Sequence, residues 1–249
     1  MLTQAFTTAG ILPVAFLSII LTACAAPAQD VVDVALREVG TGSVAEMKGR
    51  ILSLPITVRG PESRTKDLAA LPESIRRNRI TEGKLLRRVE RVIKPLVVLH
   101  DRTRDLELLL YRGDTLRGML WRGSVLVLSD SLAGALGDEE LAGIVAHELG
   151  HSYFMGEIVA AQKARDYRAL RVVELKCDAV AMLSLRLSSV DPGRHLKGVE
   201  KVMSLNNREQ LFPDVRHEVR AGDEQQTHPT FVERARFARS FIRMLKTLG

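Results

Sequence analysis

The sequence predicts a mainly α-helical fold with a small β-sheet, which belongs to the α+β class. Two patterns carry this prediction. Apolar residues recur at helical spacing over 138–153 and again over 167–187, whereas four short apolar runs between 96 and 128 are separated by Gly and Asp. With 249 residues, of which 46% are hydrophobic, the chain is long enough to bury a core without disulfide support.

The first element in the chain is an uncharged, largely apolar segment over residues 9–26. Its end, Leu21-Thr22-Ala23-Cys24, resembles the lipobox of bacterial lipoprotein precursors. The resemblance implies cleavage before Cys24 and lipidation of that cysteine, which would tether the protein to a membrane. Because Ala25 follows, it also implies the outer membrane of the bacterial cell envelope, with the protein facing the periplasm. The alternative is an uncleaved anchor or an unrelated apolar helix, since no Lys or Arg precedes the segment.

This processing divides the chain into a signal peptide over 1–23, a lipid-anchored linker over 24–30 and a single domain over 31–249. With Cys24 acylated, Cys177 has no disulfide partner and is predicted to be a small buried core residue. Val31–Ile51 predicts helix interrupted by glycines, and Asp67–Lys94 predicts a long basic helix that ends before Pro95. Four short runs then predict a small, partly hairpin sheet: Leu96–His100, Leu106–Tyr111, Leu116–Trp121 and Val125–Leu128.

The net charge of +6 is concentrated partly on the predicted basic helix. Its Lys and Arg residues form either a face held against anionic lipid head groups or, as we favour, a solvated face balanced by Glu73, Glu82 and Glu90. Nucleic acid is not expected as a partner, because aromatic residues make up only 4% of the chain and an exported protein seldom meets nucleic acid. No apolar run after residue 26 approaches the length of a membrane span.

The most informative motif is His147-Glu148-Leu149-Gly150-His151, which lies in the predicted helix that begins after Gly137. Residues four apart share one face of an α-helix, so His147 and His151 can bind one zinc ion from the same side. Glu148 lies about 100° further round the helix and can act as a base on a water molecule at that metal. The alternative is a coincidental pair of surface histidines. Upstream, Gly143 would allow a neighbouring element to approach this helix closely.

A third metal ligand is predicted on the next helix, over Tyr167–Leu187, where Glu174 and Asp178 share one face amid apolar neighbours. Two buried carboxylates require a cation. This favours Glu174 as a zinc ligand and Asp178 as the acceptor of a hydrogen bond from a ligand imidazole. The alternative is that Glu174 pairs at the surface with Lys176 or Arg171. The His, His, Glu set suits zinc best, although it does not exclude other divalent ions.

Three separated blocks resemble the HtpX-like and CAAX-prenyl-protease-like zinc metallopeptidases, peptidase family M forty-eight. They are 138–151 with its acidic first turn and two histidines, Glu174–Ala179 with an E-x-x-x-D pattern, and His228-Pro229-Thr230 followed by Arg234. The resemblance implies a zincin-like metallopeptidase domain with H-E-x-x-H on a buried helix. It also implies that His228 and Arg234 stabilise the oxyanion of the tetrahedral intermediate. The alternatives are an ordinary exposed loop histidine and a solvated helix arginine.

The resemblance covers about residues 95–240 and implies a zinc endopeptidase with one zinc ion per chain and Glu148 as the general base. Its partners would be unfolded or extended polypeptides, including misassembled cell-envelope proteins, which bind along an edge strand of the sheet. One alternative is a chaperone-like or adaptor lipoprotein in which zinc is structural and proteolysis is negligible. Another is a zinc hydrolase of a different class. The sequence does not indicate an oligomeric state.

The remaining histidines, His100, His195 and His217, have no motif around them. We interpret them as structural or exposed. His217 lies in a polar stretch, 206–227, that could form a flap over the cleft.

Overall fold

The structure is a computed structural model and describes residues 30–40, 42–56, 60–209 and 227–247. The predicted signal peptide, the lipidation of Cys24, His217 and most of the polar stretch 206–227 lie outside the described residues. Within them the chain is mainly helical and contains a small mixed sheet of four strands, as the sequence predicts. None of the described helices is both long enough and apolar enough to cross a membrane.

The helices are numbered here in chain order. They are α1 (Val31–Val39), α2 (Val44–Leu52), α3 (Pro61–Ala69), α4 (Glu73–Arg77), α5 (Lys84–Leu99), α6 (Asp130–Ala135), α7 (Asp138–Gly150), α8 (Met155–Ala164), α9 (Tyr167–Leu187), α10 (Gly193–Glu209) and α11 (Phe231–Thr247). The strands are β1 (Arg79–Ile80), β2 (Glu107–Tyr111), β3 (Gly118–Trp121) and β4 (Val125–Ser129).

The sheet has the strand order β1-β2-β4-β3, so β3 is an edge strand. Strands β2 and β4 are parallel, with Leu109 opposite Val127, whereas β3 and β4 form an antiparallel hairpin. All five residues of β4 are buried because the strand has neighbours on both edges and packed layers on both faces. One edge of β3 faces α7 instead of another strand, which places the sheet beside the H-E-x-x-H motif.

Helix α9 lies at the centre of the helical part and packs against α1, α7, α8 and α11. Its predicted bounds, Tyr167–Leu187, are confirmed. Asp166 begins the helix by accepting a hydrogen bond from the backbone N–H of Ala169 at 2.9 Å. Because α9 is apolar around most of its circumference, it is buried on most sides. The carboxylates of Glu174 and Asp178 interrupt this apolar surface where α9 meets α7.

Two glycines allow helices to pack closely around α7. A Cβ atom at Gly150 would lie 3.0 Å from Cα of Cys177, so α9 reaches this position only because residue 150 has no side chain. A Cβ atom at Gly143 would lie 2.8 Å from Cα of His195, which belongs to α10. The prediction that Gly143 allows a neighbouring element to approach closely is therefore confirmed.

The predicted long basic helix over Asp67–Lys94 is wrong. This segment contains the end of α3, the short helix α4, strand β1 and the beginning of α5. Gly83 directly precedes α5 with φ of 119°, a conformation that residues with a side chain rarely adopt, so the chain cannot continue as one helix through it. The exposed basic residues were compatible with several short elements as well as with one long helix.

The predicted strand over Leu96–His100 is also wrong, because α5 continues through Pro95. Pro95 removes one backbone donor from the helix. Its cost is offset because Val89, Ile93 and Leu96 are buried at helical spacing in the core. The other three predicted runs correspond to β2, β3 and β4.

Candidate metal centre

Helix α7 and its C-cap residue present the H-E-x-x-H motif. The helix begins at Asp138, and the carboxylate of Glu140 accepts a hydrogen bond from the backbone N–H of Gly137 at 3.0 Å. His151 caps the helix with φ of −57° and ψ of −28°, which are still helical values. The imidazoles of His147 and His151 therefore project from the same face, with ring centroids 5.0 Å apart.

His147, His151 and Glu174 come together between α7 and α9. Nε2 of His147 lies 3.5 Å from Oε2 of Glu174, and Nε2 of His151 lies 3.7 Å from Oε1 of the same carboxylate. One ligand atom from each residue lies within 4.8 Å of the other two. Neighbouring ligands in a tetrahedral zinc site, with bonds of about 2.0–2.2 Å, are separated by roughly 3.4 Å. The three side chains can therefore hold a metal ion with little movement.

The alternative pairing of Glu174 with Lys176 at the surface is wrong. Lys176 is 6% exposed and donates to Glu38 at 2.9 Å and to Glu157 at 2.7 Å, and its ammonium group lies over the Phe154 ring. The side chain of Glu174 is only 12% exposed.

Glu148 lies beside this cluster. Its Oε2 atom is 4.0 Å from Nε2 of His151 and accepts a hydrogen bond from the backbone N–H of Leu120, in β3, at 3.1 Å. Burial raises the pKa of Glu148 to about 7. A carboxyl group with a pKa near neutrality can accept a proton and return it at physiological pH.

Asp178 supports the cluster from the side opposite the cleft. Its Oδ1 atom lies 2.8 Å from Nδ1 of His147, so the contact predicted between Asp178 and a ligand imidazole is present. An ionised carboxylate only accepts hydrogen bonds, so Nδ1 of His147 carries hydrogen and Nε2 is the nitrogen that faces Glu174. Burial opposes ionisation of Asp178, but the charge of Arg234 and the hydrogen bonds from His147 and His195 hold its pKa well below the usual range.

These charges also determine how the two motif histidines are protonated in the metal-free protein. Burial lowers the pKa of His147, but the hydrogen bonds and charges of Asp178 and Glu174 outweigh it and raise that pKa to about 10. Burial and the nearby charge of His147 lower the pKa of His151 to about 4. At neutral pH His151 is therefore ready to bind a metal, whereas His147 carries a proton that a metal must replace.

The loop before α11 brings His228 to the edge of the cluster. Thr230 caps α11 by accepting a hydrogen bond from the backbone N–H of Glu233 at 3.2 Å. Pro229 follows His228 and keeps it outside the helix. The His228 side chain is 69% exposed, and its Nε2 atom lies 3.8 Å from Oε1 of Glu174. It is thus far more accessible than the side chains of His147, His151 and Glu174, which are 10%, 19% and 12% exposed.

Arg234 is buried, so the alternative of a solvated helix arginine is wrong. Its Nη2 atom donates to Oε2 of Glu174 at 2.9 Å, and its Nη1 atom donates to Oδ1 of Asp178. Both terminal nitrogens are therefore directed at the two carboxylates of α9. This geometry favours a role in which Arg234 holds those carboxylates in place.

The cluster lies in a cleft that extends in two directions. On one side is a cavity of about 520 Å³ whose apolar wall comes from the sheet side, α6, α7 and α10, namely Leu116, Leu132, Ile144, Val199, Val202 and Met203. On the other side is a cavity of about 350 Å³ that includes Gln162, Arg165 and Tyr167. His151, Glu174 and His228 line both cavities. Both cavities therefore adjoin the part of the cluster formed by His151 and Glu174.

Two side chains at the site were not assigned to it from the sequence. His195, at the beginning of α10, is 2% exposed, and its Nε2 atom lies 2.8 Å from Oδ1 of Asp178. Cys177 is a buried residue, as predicted, but its Sγ atom also lies 3.4 Å from Nδ1 of His151. The close approach at Gly143 was the one signal in the sequence that pointed towards His195. No spacing rule identifies which residue makes that approach.

All seven predicted site residues thus lie in or around one cleft: His147, Glu148, His151, Glu174, Asp178, His228 and Arg234. The donor set of two imidazoles and one carboxylate can hold a metal ion. Comparison of the chain with protein-family models found no match, and comparison with curated proteins found none either.

Proposed function

We propose that this protein is a zinc-dependent endopeptidase with a zincin-like catalytic domain. The observation that carries the proposal is the position of Glu148 beside three metal-ligand side chains in an open cleft. Two imidazoles and one carboxylate, with space left for water or substrate, are the donor set of catalytic rather than structural zinc sites. Zinc held by such residues polarises a carbonyl group and lowers the pKa of a water molecule that it binds.

Glu148 is the general base in this proposal. It takes a proton from the attacking water molecule and later delivers that proton to the departing amine. In the metal-free protein, burial raises the pKa of Glu148 to about 7, so this carboxylate takes up a proton near neutral pH. The hydrogen bond from Leu120 N–H fixes one carboxylate oxygen and thereby directs the side chain towards the ligand cluster.

His228 and Arg234 have different roles in this proposal. The His228 side chain is exposed in the cleft and can donate a hydrogen bond to the oxyanion that develops on the substrate carbonyl. Arg234 is a positioning residue, since its terminal nitrogens donate to Glu174 and Asp178. This division modifies the expectation from family resemblance, in which both residues stabilise the oxyanion.

The proposed substrate is an extended segment of polypeptide. The edge strand β3 runs beside α7 and has a strand neighbour only in β4. The backbone N–H of Leu120 on its other edge already donates to Glu148, so a substrate would pair with the other backbone groups of that edge. A segment that pairs with such an edge binds mainly through its backbone, which requires it to be unfolded. Because cavities flank the cluster on both sides, the cleft suits cleavage within a chain.

The cellular setting of the proposal rests on the resemblance of residues 21–24 to a lipobox. A lipid tether at Cys24 would hold the domain at the outer membrane, where unfolded or misassembled envelope proteins would be its substrates.

The proposal is tested by measuring zinc content and cleavage of an unfolded protein such as casein for the wild type and Glu148→Gln. We expect the variant to retain one zinc per chain and to cleave about 10²–10⁴-fold more slowly, because it lacks only the base. Glu139→Gln is the matched control, since Glu139 lies in the first turn of the same helix and pairs with Arg194 at the surface. It should cleave like the wild type.

Two results would contradict the proposal. A wild-type protein that binds zinc but cleaves nothing would favour the adaptor or chaperone alternative. Equal cleavage by the wild type and Glu148→Gln would exclude Glu148 as the base.

A further inference from the structure

We propose that His195 is a positioning residue of the metal centre: through Asp178 it fixes the orientation of His147 and thereby increases the affinity for zinc. The inference rests on the metal site of the proposed function. His195 is the only one of the histidines in the described residues that contacts the centre from α10, and its side chain is 2% exposed.

The first support is the crowding of donors around one oxygen atom. Oδ1 of Asp178 lies 2.8 Å from Nδ1 of His147 and 2.8 Å from Nε2 of His195, and it also accepts a hydrogen bond from Nη1 of Arg234. Because the carboxylate only accepts, Nε2 of His195 carries hydrogen and donates it. Three donors from three helices therefore hold this oxygen in one place.

The position of this oxygen matters because it orients the predicted ligand. A ring that donates Nδ1–H to a fixed acceptor has its Nε2 atom held in a fixed direction, here towards Glu174. Without the donor from α10, Asp178 has only His147 and Arg234 to hold it. The carboxylate could then rotate towards Arg234 and weaken its bond to His147.

The second support is the packing of His195 against the His147 ring and the backbone of α7. The His195 ring stacks on the His147 ring with centroids 5.7 Å apart and an angle of 14° between the planes. This arrangement depends on Gly143, one turn before His147, because a Cβ atom there would lie 2.8 Å from Cα of His195. The Nδ1 atom of His195 also lies 3.2 Å from the carbonyl oxygen of Gly143. The backbone of α7 is thus shaped to receive this residue.

A second metal site is the competing interpretation, because ligand atoms of His147, Asp178 and His195 also lie within 4.8 Å of one another. Two features argue against it. The guanidinium of Arg234 already supplies a positive charge to Asp178. The two ring nitrogens that face Oδ1 of Asp178, namely Nδ1 of His147 and Nε2 of His195, both carry hydrogen. A cation at this position would have to displace both hydrogen bonds, and the charge of Asp178 that it would balance is already paired with Arg234. The arrangement is complete as a hydrogen-bonded support for His147.

The test measures zinc dissociation constants by competition with a chromophoric chelator for the wild type, His195→Ala and His195→Gln. Loss of such a supporting partner typically weakens metal binding 10–100-fold, so we expect a loss of about that size for His195→Ala. Gln can place an N–H group close to the position of Nε2, so His195→Gln should bind zinc within a few-fold of the wild type.

The matched control is His100→Gln. His100 is also buried, at 3% exposure, but its ring contacts the hydroxyl groups of Tyr153 and Ser184, neither of which is a predicted metal ligand. This variant should lower the unfolding temperature without changing zinc affinity. If His195 had a purely structural role, His195→Ala would likewise lower the unfolding temperature without changing zinc affinity. In an Asp178→Asn background, His195→Ala should cost less than in the wild type, because both changes act through one hydrogen bond.

The outcomes separate the inference from the proposed function. If the wild type does not bind zinc, both are overturned. If the wild type binds zinc and His195→Ala binds it equally tightly, only the role of His195 is overturned. If His195→Gln is as weak as His195→Ala, the hydrogen bond to Asp178 is not what matters and the inference also fails.

Discussion

Two buried histidines, His147 and His100, have different partners, and their pKa values move in opposite directions. His147 is 8% exposed and contacts the carboxylates of Asp178 and Glu174. His100 is 3% exposed and contacts the hydroxyl groups of Tyr153 and Ser184. Burial, aided by the charge of Arg102, lowers the pKa of His100 to about 4, whereas the carboxylates raise that of His147 to about 10 despite burial.

The comparison shows that the partners of a buried histidine, more than its burial, determine its charge. A ring between neutral hydroxyl groups has no charge to balance and stays neutral, as a structural residue should. At the other site, two carboxylates and Arg234 leave a negative charge that a proton on His147 balances. A site that binds a proton this tightly for electrostatic reasons is also suited to bind a divalent cation.

The largest change in stability is expected from Arg234→Met, which removes the cation that bridges Glu174 and Asp178 at the His147 site. Leaving a buried charge without its partner typically costs about 3–5 kcal/mol, so we expect a loss of that size in the metal-free unfolding free energy, measured with urea at pH 7. Added zinc should recover part of the loss, because it supplies positive charge to Glu174.

Arg236→Met is the control for this change. Arg236 lies on the same helix but pairs with Asp30 and Asp33 at the surface, so its removal should cost less than about 1 kcal/mol. If the two variants lose equal stability, the carboxylates of the candidate metal centre do not need Arg234.

A smaller change in stability is expected at His100 when the pH is lowered. The folded pKa of His100, about 4, lies below its ordinary value of 6.5, so the unfolded chain takes up a proton first as the pH falls. The stability that this residue contributes is present above pH 6.5 and is lost as the pH falls through 4. The loss is on the order of 3 kcal/mol. His100→Gln keeps a polar side chain and should escape this loss.

Urea unfolding of both proteins between pH 7 and pH 4 measures this difference. If their unfolding free energies change in parallel over this range, His100 does not stay neutral in the folded protein. The contrast between the two histidines would then be lost.

The sequence was sufficient for the parts of the fold that depend on local spacing. The bounds of α9 followed from a long apolar pattern between Asp166 and the end of the helix, and the hairpin β3–β4 followed from short runs separated by Gly. The sequence was insufficient where contacts between segments far apart in the chain determine the secondary structure. Burial of Val89, Ile93 and Leu96 carries α5 through Pro95, and this burial is visible only when the sheet and α7 are in place.

At the candidate site, too, local spacing predicted some residues, whereas others depend on contacts between distant segments. His147, Glu148 and His151 come together because helical geometry alone brings them together, and Asp178 follows Glu174 by one turn for the same reason. His228 and Arg234 were placed near them only by resemblance to a family. The position of His195 beside Asp178 could not be predicted, because it depends on the docking of α10 against Gly143.

The most direct test of the metal centre is an X-ray absorption spectrum of the zinc-loaded protein at the zinc edge. We expect nitrogen and oxygen ligands at about 2.0–2.2 Å, with the multiple-scattering signature of two imidazoles from His147 and His151. Glu174→Ala should lose one oxygen ligand. A sulfur ligand at about 2.3 Å would instead identify Cys177 as a ligand. A sulfur ligand, or a wild-type protein that retains no zinc after incubation with it, would contradict a centre built from His147, His151 and Glu174.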